Sequence, residues 1–208
     1  MTICLVGSEM CIRDRLFVDS IEPKTSGEVV SINRGKGQIL EVLTSLCDGS
    51  TVEVTSGSYI FQNVTALQEG TTSYVDLTGS TLSYKPPTGT TRVIYEFTYM
   101  ASRTSDTGPL GHHKFFIDDV EVTNARWNVG ANGLYGTMQT FKWIINCNAA
   151  SGVAADGAFT SWTALKELKI QVREYGSNNE IRWHTTYYWD GAGSTQFHRP
   201  LLKITAIG

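Results

Sequence analysis

Between Arg92 and Arg103 the chain alternates strictly. Val93, Tyr95, Phe97, Tyr99 and Ala101 share one parity, while Arg92, Glu96, Thr98 and Ser102 share the other. A period of two is the signature of a strand with one face on a core and one face wet. The same parity returns from Leu168 to Glu174, with Leu168, Ile170 and Val172 inside and Lys169, Gln171 and Arg173 outside. Further strands are predicted at Gln38–Leu46, Thr51–Val54, Ser58–Gln62, Thr81–Lys85, His113–Asp118, Gln139–Asn146, Ile181–Trp189 and Leu201–Ile207. Gly, Asp, Asn, Ser and Pro punctuate them at Asp48-Gly49-Ser50, Pro86-Pro87-Thr88-Gly89, Asp118-Asp119 and Gly176-Ser177-Asn178-Asn179, residues that tolerate turn geometry. Nine or ten short strands suit two packed sheets, so the expected fold class is all-β, an antiparallel β-sandwich. The one helix candidate is a single turn over Ser161–Lys166, capped by Ser161. No repeat at a period of 20–50 residues appears, which disfavours a propeller or solenoid.

Composition supports this picture. The 208 residues include 25 Thr and 20 Gly against 8 Lys, a bias towards strand and turn formers. Charged residues are 18% and hydrophobic ones 41%, the balance of a folded globular chain. A net charge of −3 argues against a nucleic-acid partner, and no apolar run approaches the roughly 20 residues that membrane insertion by a helix requires.

The opening Met1–Arg15 follows neither periodicity, and Glu9, Arg13, Asp14 and Arg15 interrupt the apolar run a secretory signal needs. Its stretch CLVGSEMCIRDR resembles the peptide obtained when a sequencing-adapter remnant at a contig end is translated in frame. That resemblance implies that residues 1–15 are not native and that the native chain begins upstream of Leu16. Leu16–Ser26 carries Pro23 and Lys24 without periodicity and reads as a linker, so residues 1–26 are expected to be a lead-in and 27–208 one domain. Beyond the opening, Cys47 and Cys147 remain, too few for a disulfide framework or a zinc pattern. Cys147 continues the parity of Phe141, Trp143 and Ile145, which predicts a buried free thiol; a Cys47–Cys147 bridge is the alternative.

Candidate chemistry is sparse. His112-His113 and Asp118-Asp119 are residue types that suit divalent cations, but neighbours on a strand point to opposite faces, so the reading is structural and no metal is expected. There is no G-x-S-x-G, no G-x-G-x-x-G and no Walker-type loop, so neither a catalytic residue nor a cofactor is assigned and no enzyme is expected. Glu53, Glu96, Glu121, Glu167, Glu174 and Glu180 fall mostly on faces predicted to meet solvent. The densest unusual run is Trp183-His184-Thr185-Thr186-Tyr187-Tyr188-Trp189-Asp190, in which Trp183, Tyr187 and Trp189 share a parity. Flat rings stack on sugars and also favour subunit interfaces, so these three are the candidate ligand-binding residues, with a core-and-interface role as the alternative.

The run Thr71-Thr72-Ser73-Tyr74-Val75-Asp76-Leu77-Thr78-Gly79, followed by Leu82–Gly89 and the strand Arg92–Tyr99, resembles a recurring pattern of bacteriophage fibres. Phe115–Val122 is similar to the hairpin of the same family and Leu201–Ile207 to its closing strand. Together, Gly37–Gly208 resembles jelly-roll virion proteins of marine phages, tail-fibre-like proteins among them, which are similar to tumour-necrosis-factor and complement-type sandwiches. The resemblance implies jelly-roll topology, a virion location and self-association as a homotrimer. It also implies other virion proteins and a host surface glycan or protein as partners. On that reading the chain is a tail-fibre or exterior-fibre head, with Thr104–Gly111, Val129–Gly136 and Asn148–Phe159 as display loops. A carbohydrate-binding module and a capsid decoration protein are the alternatives.

Overall fold

The computed structural model describes residues 37–103, 108–130, 136–188, 190 and 194–208. Residues 1–36, which contain the expected lead-in and linker, lie outside the described residues, as do 104–107, 131–135, 189 and 191–193.

Eight principal strands build the sandwich. They are β1 (Ile39–Leu46), β2 (split into Val75–Asp76 and Leu82–Tyr84), β3 (Arg92–Arg103), β4 (Leu110–Ile117), β5 (Trp127–Gly130), β6 (Thr137–Asn146), β7 (Lys166–Glu174) and β8 (Leu201–Ile207). The first sheet runs β1-β8-β3-β6 and the second β2-β7-β4-β5, antiparallel throughout. Strand 1 thus pairs with 8, 2 with 7, 3 with 6 and 4 with 5, and successive pairs fall in alternate sheets. One long antiparallel ribbon rolled on itself gives this order, which is the jelly-roll topology.

The inner faces follow from the alternation. Val93, Tyr95, Phe97, Tyr99 and Ala101 of β3 meet Phe115 of β4 and Leu168, Ile170 and Val172 of β7, all fully buried. Tyr95 and Phe115 lie with ring centroids 5.0 Å apart, and Phe97 and Tyr99 stack at 5.6 Å. Each such side chain removed from water contributes about 2 kcal/mol. The buried hydroxyls find acceptors, as in Tyr95 Oη donating to the Ser80 carbonyl at 2.6 Å.

Two expectations change. The strand expected over Ile181–Trp189 is two strands, Ile181–Trp183 and Thr185–Tyr188, broken at His184, whose φ of +64° is left-handed. The first extends the first sheet beside Ala101–Arg103, and the second pairs with Ser194–Phe197 in a ribbon of its own. No helical turn forms over Ser161–Lys166, because Trp162 is drawn inwards against Tyr84 and its indole N–H donates to the Ala164 carbonyl at 2.8 Å. Single 3-10 turns occur instead at Thr123–Ala125 and Ala154–Asp156.

Cys47 and Cys147 are free and buried, and burial pushes both thiols up to about 12. Cys47 follows the end of β1 that faces Leu201, level with Thr98 of β3, whereas Cys147 follows the end of β6 that faces Arg92, so the two thiols lie well apart along the strands.

Candidate interaction surfaces

The residues with metal-binding chemistry are held apart by structural roles. His113 points into the core, its Nε2 is 2.8 Å from the Tyr99 hydroxyl, and its ring stacks on Trp127 at 4.4 Å. Burial holds its imidazole down to about 3. His112 faces outwards beside Tyr175. Asp118 and Asp119 both adopt left-handed φ, 49° and 61°, and form the two-residue turn between Ile117 and Val120. That geometry matches the right-handed twist of the flanking strands. Lysines secure the turn, with Lys166 Nζ 2.7 Å from Asp118 and Lys169 Nζ 2.6 Å from Asp119, while the Glu167 amide donates to Asp118 at 2.9 Å. The hydrogen bonds and charge of Lys166, with that amide, hold the Asp118 carboxyl below the usual carboxylate range.

Two carboxylates depart from the solvent faces. Glu174 is buried, and its desolvation together with the Glu180 charge raises its carboxyl. Glu41, not singled out from the sequence, is buried and accepts from the Ser56 amide at 2.8 Å, the Ser56 hydroxyl at 2.7 Å and the Tyr84 hydroxyl at 2.8 Å. Its shared parity with Leu43 is the signal that would have placed it inside.

The three candidate aromatic residues do not form one exposed face. Trp183 is 0% exposed and belongs to the core, so no ring face is open to a ligand there. The break at His184 separates it from Tyr187, which is half-buried on the ribbon; Trp189 lies outside the described residues. The exposed rings of this region are Tyr188 and Phe197 on the ribbon and Tyr175 after β7.

The two outer faces differ in chemistry. On the second sheet, Lys114, Lys169, Gln171 and Arg173 project outwards and are occupied. Lys114 pairs with Glu121 at 3.2 Å, Lys169 also meets Glu167 at 2.9 Å, Gln171 donates to Asp76 at 2.9 Å, and Lys114 and Arg173 lie over the Tyr74 ring. On the first sheet the outward parity carries Val42 and Leu46 of β1, Ile94 and Met100 of β3, and Met138 and Ile144 of β6. Register places Met138 opposite Met100 and Ile144 opposite Ile94. Met138 is 60% exposed and Ile144 55%. An ion-paired row crosses this face, where Glu96 takes both Lys203 at 3.3 Å and Lys142 at 3.5 Å, and Arg92 is exposed at its terminal edge.

The two ends of the sandwich also differ. The Gly37 amide donates to the Gly208 carbonyl and the Gly208 amide to the Gln38 carbonyl, so the described chain enters and leaves side by side at one end. Asn148–Phe159 lies at that terminal end, after Asn146, which is paired with Arg92. There the loop helps to wall an apolar cavity of about 350 Å³ between Ile117, Val122, Ala158 and Phe159, with the Lys166–Asp118 pair at its rim. The described flanks of the expected loops Thr104–Gly111 and Val129–Gly136, namely Leu110–Gly111 and Val129–Gly130, are at the opposite, far end with the aromatic ribbon; residues 104–107 and 131–135 lie outside the described residues. Asn148–Phe159 and the described flanks of the other two expected display loops therefore lie at different ends.

No family model matches the chain, and none of the curated proteins does either. Several chains of solved structures match it. One, from the structure of infectious bursal disease virus, Gx strain, aligns at 13% identity with a TM-score of 0.39, over 81% of this chain and 32% of that one. The chain thus spans about a third of the length of that match.

Proposed function

We propose that this jelly roll is a virion structural module, the head of a tail fibre or another exterior fibre, that self-associates and binds a host surface multivalently. The observation that supports this reading most directly is the uncovered apolar outer face of the first sheet. A solitary domain gains solubility from a polar outer face, as on the second sheet, whereas a face that exposes Ile, Met, Leu and Val on both sides of its charged row marks a surface meant for protein. On this reading the first sheet joins copies in a homotrimer and the terminal end joins the rest of the particle. The far end, with Tyr175, Tyr188 and Phe197, is presented to glycan or protein on the host. Three weak sites held rigidly together give far more avidity than one. The module works without catalysis.

Light scattering behind size exclusion tests this on the full chain. The expected mass is three times the 22.9 kDa of one chain. A monomer at micromolar concentration overturns the fibre-head reading. The exposed rings of the ribbon then favour the second reading, a carbohydrate-binding module, for which a glycan array is the direct measurement.

A further inference from the structure

The ribbon Thr185–Tyr188/Ser194–Phe197 is hydrogen-bonded as a two-stranded sheet of its own, packs on β3 through the buried Thr185, and has a histidine at each of its two feet. The His184 amide donates to the Met100 carbonyl of β3 at 2.8 Å, and the His198 amide donates to the His184 carbonyl at 2.8 Å. The His184 ring is fully buried, edge-on to Phe97 and Tyr99 with centroids 6.3 Å away in both cases. Neither of its ring nitrogens has a hydrogen-bond partner, and the Nδ1 of His198 is likewise buried and unpartnered. A non-glycine residue with left-handed φ adds backbone strain at the same position. A buried imidazole can be accommodated while neutral, but a second proton places a charge where burial opposes it, with only the Thr78 backbone in its favour.

We propose that this ribbon is an acid-released element, held at its feet by two histidines and freed when His184 takes up a proton.

The surroundings of His184 favour release over local charge compensation. From β3 the facing titratable group is Tyr99, itself bonded to His113 of β4. From Ile181–Trp183 the charged group is Arg182, paired with Glu69 at 2.6 Å. From the segment before β8 come His198 and Arg199, the latter donating to the Val64 carbonyl at 3.3 Å. The Thr78 backbone is the one neighbouring group that favours the charged ring. Burial, reinforced by repulsion from His198, holds the imidazole down to about 4, and no carboxylate among the described residues offsets this. Once the ribbon leaves, His184 regains the ordinary imidazole value near 6.5. The released form therefore binds the proton first, and release becomes easier as the pH falls from about 6.5 to about 4.

This inference concerns the same far end as the function proposed above, yet its test needs neither a trimer nor a receptor. Amide hydrogen exchange by mass spectrometry on the full chain, corrected for the intrinsic pH dependence of exchange, reads the ribbon and β3 separately. Protection of His184–Tyr188 is expected to fall about tenfold per pH unit between 6.5 and 4 while Val93–Phe97 stays protected. His184→Asn, which tolerates left-handed φ and does not titrate, is expected to remove that slope. Should that variant fail to fold, His198→Gln, which removes the repulsion, is expected to reduce it. Ribbon protection that follows β3 at every pH overturns the proposal. So does an unchanged slope in the variant that folds.

Discussion

The two outer faces of this sandwich are made by the same alternation and end in opposite surfaces. On the second sheet Lys114, Lys169, Gln171 and Arg173 each have a charged, amide or aromatic neighbour, in a mesh of ion pairs around Tyr74. On the first sheet the ion-paired row, Lys203–Glu96–Lys142, is flanked by Ile94 and Ile144 on one side and by Met100 and Met138 beyond the Thr98–Thr140 pair on the other. Period-two patterning fixes which residues point out, but the chemistry of the outward set decides what they point at. One face is finished by water; on the function proposed above, the other is finished by protein.

That contrast is most directly broken by charge. Ile144→Glu, at a 55% exposed position on the first sheet, is expected to raise the dissociation constant of the assembly at least about a hundredfold and give a monomer by light scattering. The matched control Gln171→Glu on the second sheet is expected to leave the mass unchanged. Equal behaviour of the two variants would erase the distinction between the faces.

The interior between the faces responds to acid. His113 is packed between Tyr99 and Trp127 and, unlike His184, has no separable element to release. Its folded pKa of about 3 lies below the 6.5 of an unfolded histidine, so the unfolded chain takes up the proton first. Its contribution is complete above about pH 6.5 and is lost as the pH falls towards 3, a decline on the order of 4 kcal/mol measurable by urea denaturation at a series of pH values. His113→Gln should flatten that decline. Tyr99→Phe acts at the same place through a different cause: it leaves His113 Nε2 unpaired and should cost about 1–2 kcal/mol at pH 7 in the same assay. The smallest effect belongs to the ion-paired face. Lys169→Met removes pairs to Asp119 and Glu167, yet Asp119 is 83% exposed, so the loss should stay below about 1 kcal/mol. A larger loss would show that the mesh on the second sheet holds the sandwich together as well as solubilising it.

Much of the fold was legible because β3 and β7 carry unbroken alternation, and the core drawn from Val93–Ala101 and Leu168–Val172 is the observed one. The apolar outer face was also present in the sequence. Ile94 and Met100 sit at the parity of Arg92 and Glu96, but attention to the charged members of that set made it read as wet. The ribbon was less legible. Nothing in Trp183-His184-Thr185 announces a left-handed histidine, since that conformation is set by the pairing of Trp183 with Ala101 before it and of Thr185 with Phe197 after it. The parity shared by Trp183 and Tyr187 was therefore real along the chain and lost in space. Ser161–Lys166 misled for a similar reason: a capping serine is a local signal, and the burial of Trp162 against Tyr84 is a tertiary one.

The pairing of the first and last strands has a mechanical meaning. Tension that enters at Gly37 and is resisted at the far end runs along β1, across the direction of its hydrogen bonds to β8. From Ile39–Ile207 to Leu46–Leu201 the bonds are then loaded together, in shear, and none can open without straining the rest. A module tethered this way resists a pull along its long axis better than a peel from its edge.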